Sequence, residues 1–150
     1  MKKIIILIMV IIMTGCSTEE MSEEYKIYNN YINELKENNE ASEINNYLVN
    51  IELEKITDEE TMYVLTLDNA QVDMYDIEVI VIHNQETDDI FPTSGIFEEK
   101  IDLTKENEEI KGIQLIGFID NEIKDIGFKA MIKYIDEEGN EKKDYYIKQF

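Results

Sequence analysis

The chain has 150 residues, with 34 acidic side chains against 14 lysines, no arginine, and a formal net charge of −20 at neutral pH. Nucleic-acid binding needs a basic patch, so this balance excludes nucleic acid as a partner and opposes attraction to anionic lipid or wall polymer. One cysteine, one histidine, one proline and no tryptophan leave no pair of residues for an internal disulfide and no His/Cys set for a zinc site.

Taken in chain order, Lys2 and Lys3 precede ten consecutive Ile, Leu, Met and Val residues, Ile4 to Met13. A membrane-spanning helix needs ~20 apolar residues, so this run is too short to span. It has the length of the apolar region of a cleavable secretory signal. It leads into Met13-Thr14-Gly15-Cys16, and Cys16 is the sole cysteine. These four residues resemble the lipobox of bacterial membrane lipoproteins, with Met13 where Leu is usual. The resemblance implies that residues 1–15 are a signal peptide and that Cys16 carries a thioether-linked diacylglyceryl group and becomes the N-terminus. It also implies a lipid-anchored protein on the extracytoplasmic face of the cell membrane. Two acyl chains hold such a protein, whereas one chain, at ~0.8 kcal/mol per buried CH₂, binds only reversibly. With Cys16 acylated, the remaining chain folds without disulfides, and its size allows one adequate core.

Residues 16–24 read as an acidic tether. Ser22 before Glu23 and Glu24 predicts a helix start, with the acids favourably placed against the helix dipole. Tyr25, Tyr28, Ile32 and Leu35 then fall on one helical face with Tyr31 beside it, and the helix is expected to end near Asn38-Asn39. Residues 25–43 therefore form a helix and linker. Residues 44–56 fit two periods. Ile44, Leu48 and Ile51 suit a helix, while Val49, Ile51 and Leu53 alternate. A strand over about 48–56 is preferred, because Tyr63, Leu65 and Leu67 can pair with it across a turn at Thr57 to Glu60.

Ile77 to His83 is nearly all β-branched, which predicts a central strand buried on both faces. Over Gly95 to Leu103, Phe97, Ile101 and Leu103 are expected to face inward, with Glu98, Lys100 and Asp102 outward. Ile113 to Ile119 is a further strand, with Gly117 marking a bulge. Phe128, Ala130, Ile132 and Tyr134 alternate with Lys129, Met131 and Lys133. A turn over Asp136 to Glu141, containing Gly139-Asn140, then leads into Asp144 to Phe150. Seven strand candidates after one helix, with no strand–helix alternation, predict a mainly β fold: an antiparallel β-sandwich over residues 44–150. The layout resembles immunoglobulin-like and fibronectin-type modules, without the Cys…Trp…Cys hallmark. Such a fold carries no function by itself.

The chemistry is sparse. His83 is the only imidazole, and no nucleophile setting accompanies it; it reads as a strand-end histidine with a satisfied hydrogen bond. The chain is therefore expected to be no enzyme, with no catalytic residue and no cofactor. Acidic clusters at Asp58-Glu59-Glu60, Glu86 to Asp89, and Asp136-Glu137-Glu138 could face a hard cation, but none has a calcium-loop spacing, and they read as solvated loops. Tyr25, Tyr28, Tyr31 and Tyr47, with Tyr145 and Tyr146, suit either an interface or packing against the sandwich. The expectation is a non-catalytic binding or interaction module whose partner is an envelope protein with a basic surface. The alternative is a small-ligand or divalent-cation binding lipoprotein that uses its acidic loops.

Overall fold

The computed structural model describes residues 21–106, 109–120 and 125–150. The residues expected to form an export signal, Cys16 and the first part of the expected acidic tether lie outside them. Helix α1 spans Glu23–Glu37. Ser22 caps it by accepting the Tyr25 N–H at 3.4 Å, Glu23 and Glu24 occupy its first turn, and Asn38 ends it in extended backbone. Among the described residues eight strands follow: β1 Leu48–Lys55, β2 Glu60–Asp68, β3 Met74–His83, β4 Thr93–Ser94, β5 Ile101–Leu103, β6 Gly112–Asp120, β7 Gly127–Ile135 and β8 Glu141–Gln149.

All pairings are antiparallel. One sheet has the order β1-β2-β6; the other has the order β4-β3-β7-β8, with β5 also pairing β3. The two sheets pack face to face as a β-sandwich preceded by one helix. In this order, β1, β2 and β6 stand where an immunoglobulin-like sandwich has strands A, B and E, and β3, β7 and β8 where it has C, F and G.

The interior lies between the sheets. Ile51, Leu65, Leu67, Ile113 and Leu115 from one side meet Ile77, Val79, Val81, Phe128, Ala130 and Ile132 from the other. Full burial of each such side chain is worth ~1.5–3 kcal/mol. The alternate residues of β3, Ile80 and Ile82, form a second cluster with Met131, Ile96 and the helix residues Tyr28 and Leu35. This explains the unbroken β-branched run: β3 is buried on both faces because α1 covers the side turned away from the first sheet. It also moves Met131, expected to face out with Lys129 and Lys133, to full burial beneath the helix.

The helix is held by polar contacts at its margins. Glu78 on β3 is buried and ion-pairs with Lys100 at 2.5 Å. It also accepts a hydrogen bond from the Tyr31 hydroxyl. Glu34 pairs with Lys143 at 2.9 Å and accepts from the Tyr145 hydroxyl. Lys129 donates to the Lys36 carbonyl at 3.3 Å, the Asn38 carbonyl at 2.5 Å and the Asn39 side chain at 3.0 Å. It thereby satisfies the carbonyls that a helix leaves open at its C-terminus.

Two expectations are corrected. Residues 95–103 are not one strand. Gly95 has φ +75° and donates its N–H to the Glu98 carboxylate at 2.9 Å. This left-handed position suits glycine and turns the chain between β4 and β5. Phe97 consequently leaves the inter-sheet core and rests on the rings of Tyr25 and Tyr28, at centroid distances of 5.0 and 5.3 Å. Gly117 is not a bulge either, because β2 and β6 pair without a break from Glu60↔Asp120 to Asp68↔Gly112. A Cβ at 117 would stand 2.3 Å from the Tyr63 ring, so the glycine makes room for that ring across the strand pair.

Candidate functional site

The site grows from the end of β3. After His83, the dipeptide Asn84-Gln85 reaches into both sheets. Asn84 donates its backbone N–H to the Gly127 carbonyl at 3.0 Å, and its side-chain oxygen accepts the Gly127 N–H at 3.1 Å. The Gln85 side chain donates to the Asp120 carbonyl at 3.2 Å and accepts the Asp120 N–H at 3.3 Å. The dipeptide thus clamps β3 to the start of β7 and to the end of β6. Sequence reasoning gave these two residues no role, because their partners are distant in the chain.

Behind the clamp, His83 is 8% exposed. Its ring lies edge-on to Tyr63, Phe91 and Phe128, with centroids 5.7, 5.0 and 6.1 Å away. Its Nδ1 is buried and has no hydrogen-bond partner among the described residues, which departs from the satisfied histidine expected at this strand end. Burial lowers its pKa below the ordinary histidine value, while the Gln85 backbone and Asp89 pull the other way. The imidazole is therefore neutral at physiological pH.

Two of the three acidic clusters meet here. Glu59 from the β1–β2 turn and Glu60 at the start of β2 join Glu86 and Asp89 from the β3–β4 loop, with Asp120 at the end of β6. Together with His83 and Phe118 they line a cleft of about 440 Å³. The third cluster lies at the other end of β7, where Asp136 pairs with Lys142 at 3.3 Å and Glu137 with Lys105 at 2.7 Å. Among the described residues, no three His, Cys, Asp or Glu side chains are placed to hold a metal ion. The cleft is therefore a concentration of negative charge around an aromatic floor, with diffuse attraction for cationic groups.

Phe118 also belongs to the outer face of the β1-β2-β6 sheet. Opposite Phe118 and Ile116 on β6 stand Met62 and Val64 on β2. Glu54 and Glu52 of β1 lie beyond them. Ile116 and Phe118 are each 52% exposed. An apolar band thus lies open on a strongly acidic protein, with carboxylates at its rim. Large contiguous exposed apolar patches are where proteins meet partners, whereas singly exposed apolar residues are ordinary. The sequence signal was Ile116 and Phe118 in the set that alternates with Ile113, Leu115 and Ile119, which a strand buried on one face does not need.

The tyrosines singled out from sequence are mostly used internally. Tyr28 is buried, and its hydroxyl accepts the Phe91 N–H at 2.7 Å. Tyr47 sits in the inter-sheet core and donates to Asp144 at 2.8 Å. Tyr31 and Tyr145 bond to Glu78 and Glu34. Among the described residues, no helix is long and apolar enough to cross a membrane. Compared with protein-family models, with curated proteins and with solved structures, the chain matches none.

Proposed function

We propose that the protein is a non-catalytic, lipid-anchored interaction module of the bacterial envelope whose partner is a protein with a basic surface. The observation that carries the binding assignment is the exposed pair Ile116 and Phe118 beside the carboxylates of Glu59, Glu60, Glu86, Asp89 and Asp120. Desolvation of an apolar centre supplies affinity at such surfaces. Complementary charge at the rim raises the association rate and rejects wrong partners.

The anchor is supported by Lys2-Lys3, the apolar run Ile4 to Met13, and Thr14-Gly15-Cys16. Cys16→Ala is expected to abolish incorporation of radiolabelled palmitate and to release the protein from membranes. Persistent labelling would refute the assignment. For the partner, crosslinking in cells followed by pull-down is expected to capture a basic protein with the wild-type chain and not with Phe118→Asp. Its association should slow as salt is raised, since exposed charges are screened over ~8 Å at physiological ionic strength. Equal capture by Phe118→Asp would move the interface elsewhere.

The convergence of two acidic loops on one cleft favours a second reading, the binding of a small cationic ligand or a divalent cation. Calorimetric titration with calcium distinguishes it. Heat that disappears in a Glu59→Gln, Glu86→Gln double variant would support that alternative.

A further inference from the structure

The β1-β2-β6 sheet stops at β6. In the immunoglobulin constant-type arrangement a fourth strand, D, lies beside E. The place beside β6, the strand equivalent to E, is filled by no described strand. The hydrogen-bonding sense of this edge follows from Asp120. Its N–H and C=O both bond to the Gln85 side chain, so they turn away from β2. Along an antiparallel strand this sense recurs at every second residue. The backbone groups of Phe118, Ile116 and Gln114 therefore also turn outward. Among the described residues, no other backbone group bonds to them there.

Natural sheets protect such edges with charge, proline, a bulge or a covering segment. The opposite edge, β1, carries Glu52, Glu54 and Lys55. Over Gln114 to Phe118, β6 carries no charge and no proline, and its register with β2 is unbroken. Two hollows run alongside it. One, of about 800 Å³, is bounded by Gly112, Gln114 and the segment Leu103 to Lys105. The other, of about 330 Å³, lies between Ile116–Phe118 and Ile90–Pro92.

We propose that the β6 edge accepts an extended segment of the partner as an added antiparallel strand. The inference rests on the partner-binding reading and specifies its mode: main-chain bonds to β6 supply affinity, and alternate side chains select the sequence. Gln85 already makes with Asp120 the two bonds that an added strand makes with an edge residue, and it marks where that strand begins. Charge chooses the occupant. The C-terminal end of β6 is ringed by Glu59, Glu60, Glu86, Asp89 and Asp120. An antiparallel strand enters at that end, so its first half is basic and its remainder alternates apolar and polar residues. A second copy of this chain brings another −20 charge and is opposed by repulsion.

The test uses the full-length protein in detergent and the synthetic peptide Lys-Val-Lys-Val-Thr-Val-Thr-Val-Thr. At saturation the peptide is expected to slow amide exchange at Gln114, Ile116 and Phe118. A version N-methylated at the amides facing β6 is expected to bind about tenfold more weakly or worse, the loss of ~1.4 kcal/mol. Ile116→Pro removes one outward N–H from an edge strand, where proline is tolerated, and should abolish peptide binding. Should that variant misfold, the N-methylated peptide decides alone. No binding at millimolar peptide, or equal binding of the methylated version without protection of those amides, overturns strand addition. In the latter case, loss of binding in Phe118→Asp keeps the broader partner-binding reading. Equal binding of a peptide with Glu in place of Lys overturns the choice of a basic occupant. Dimerisation of the chain alone with the same amides protected assigns the slot to a second copy and overturns the peptide occupant.

Discussion

The outer face of the β3-β7-β8 sheet and the outer face of the β2-β6 pair are both apolar, and only the first is covered. Ile80, Ile82 and Met131 lie beneath Tyr28 and Leu35 of α1. Met62, Val64, Ile116 and Phe118 face solvent to varying degrees. The covered face has a polar frame cut to fit its helix: Glu78 receives Tyr31, Lys143 receives Glu34, and Lys129 closes the last turn. The open face has Glu52 and Glu54 along one margin and the cleft carboxylates at one end, and no described helix lies over it. An apolar surface that is to be sealed within the molecule is bordered by groups placed for its own cover. The face bordered mostly by acids has no such cover among the described residues.

Stability measurements by urea unfolding break the comparison most sharply at its two centres. Leu35→Ala is expected to cost about 3 kcal/mol, the usual result of emptying a buried leucine site, because Leu35 is 1% exposed. A comparable loss in Phe118→Ala would mean that the β6 face is part of the core. Glu78→Gln should cost about 2 kcal/mol, since Tyr31 and the lysines lose their charged acceptor. Lys129→Ala should cost about 1 kcal/mol by opening the helix C-terminus. Phe118→Ser should change stability by less than about 0.5 kcal/mol, as exposed positions do, while weakening capture of the partner.

Acid titration of the unfolding free energy sharpens the same contrast. Burial disfavours charge on Glu78, but its bonds with Lys100 and Tyr31 and the nearby Lys133 outweigh this and hold its pKa below the ordinary value. Glu34 is likewise lowered, Tyr145 and Lys143 overcoming its burial. Both folded values lie below the unfolded ones. Their stabilisation is therefore complete above the ordinary glutamate range, ~4.3, and is lost as pH falls through the folded values. His83 also has a lowered folded pKa, so its loss begins earlier, as pH falls below ~6.5. His83→Gln should flatten the earlier loss and Glu78→Gln should reduce the later one. If neither variant alters the profile, these linkages are wrong.

Much of the fold was legible because local patterns carried it. Ser22 with Glu23 and Glu24 announced α1, and the alternation around Leu65, Ile132 and Leu115 announced β2, β7 and β6. The ambiguous stretch 44–56 resolved to β1, since Leu65 and its neighbours pair with it along the full strand. What failed was local pattern overridden by distant packing. Phe97 alternates correctly with Ile101 but is turned away by Gly95 towards the helix. Gly117 looks like an interruption until Tyr63 is placed on it. The candidate site was the least legible part. Asp58 to Glu60 and Glu86 to Asp89 are ordinary acidic loops in sequence, and only the sandwich topology brings them to the same end as Phe118. The tyrosines stood out by composition, and most were needed to fasten α1 or fill the core.

The place where α1 docks has a consequence for the order of assembly. Its seat is built from β3, β7 and β8, so the first element of the fold to be synthesised waits for the last. The β1–β2 and β7–β8 hairpins can close locally, but β2 must find β6 and β3 must find β7 across long stretches of chain. Such pairings are slow because loop closure precedes their reward. Until β7 and β8 emerge, the seat lacks Met131, Tyr145 and Lys129, and part of the apolar face of α1 stays open, a handle of the exposed apolar kind that chaperones exist to hold. Docking of α1 then buries that handle and reports that the C-terminal hairpin has arrived.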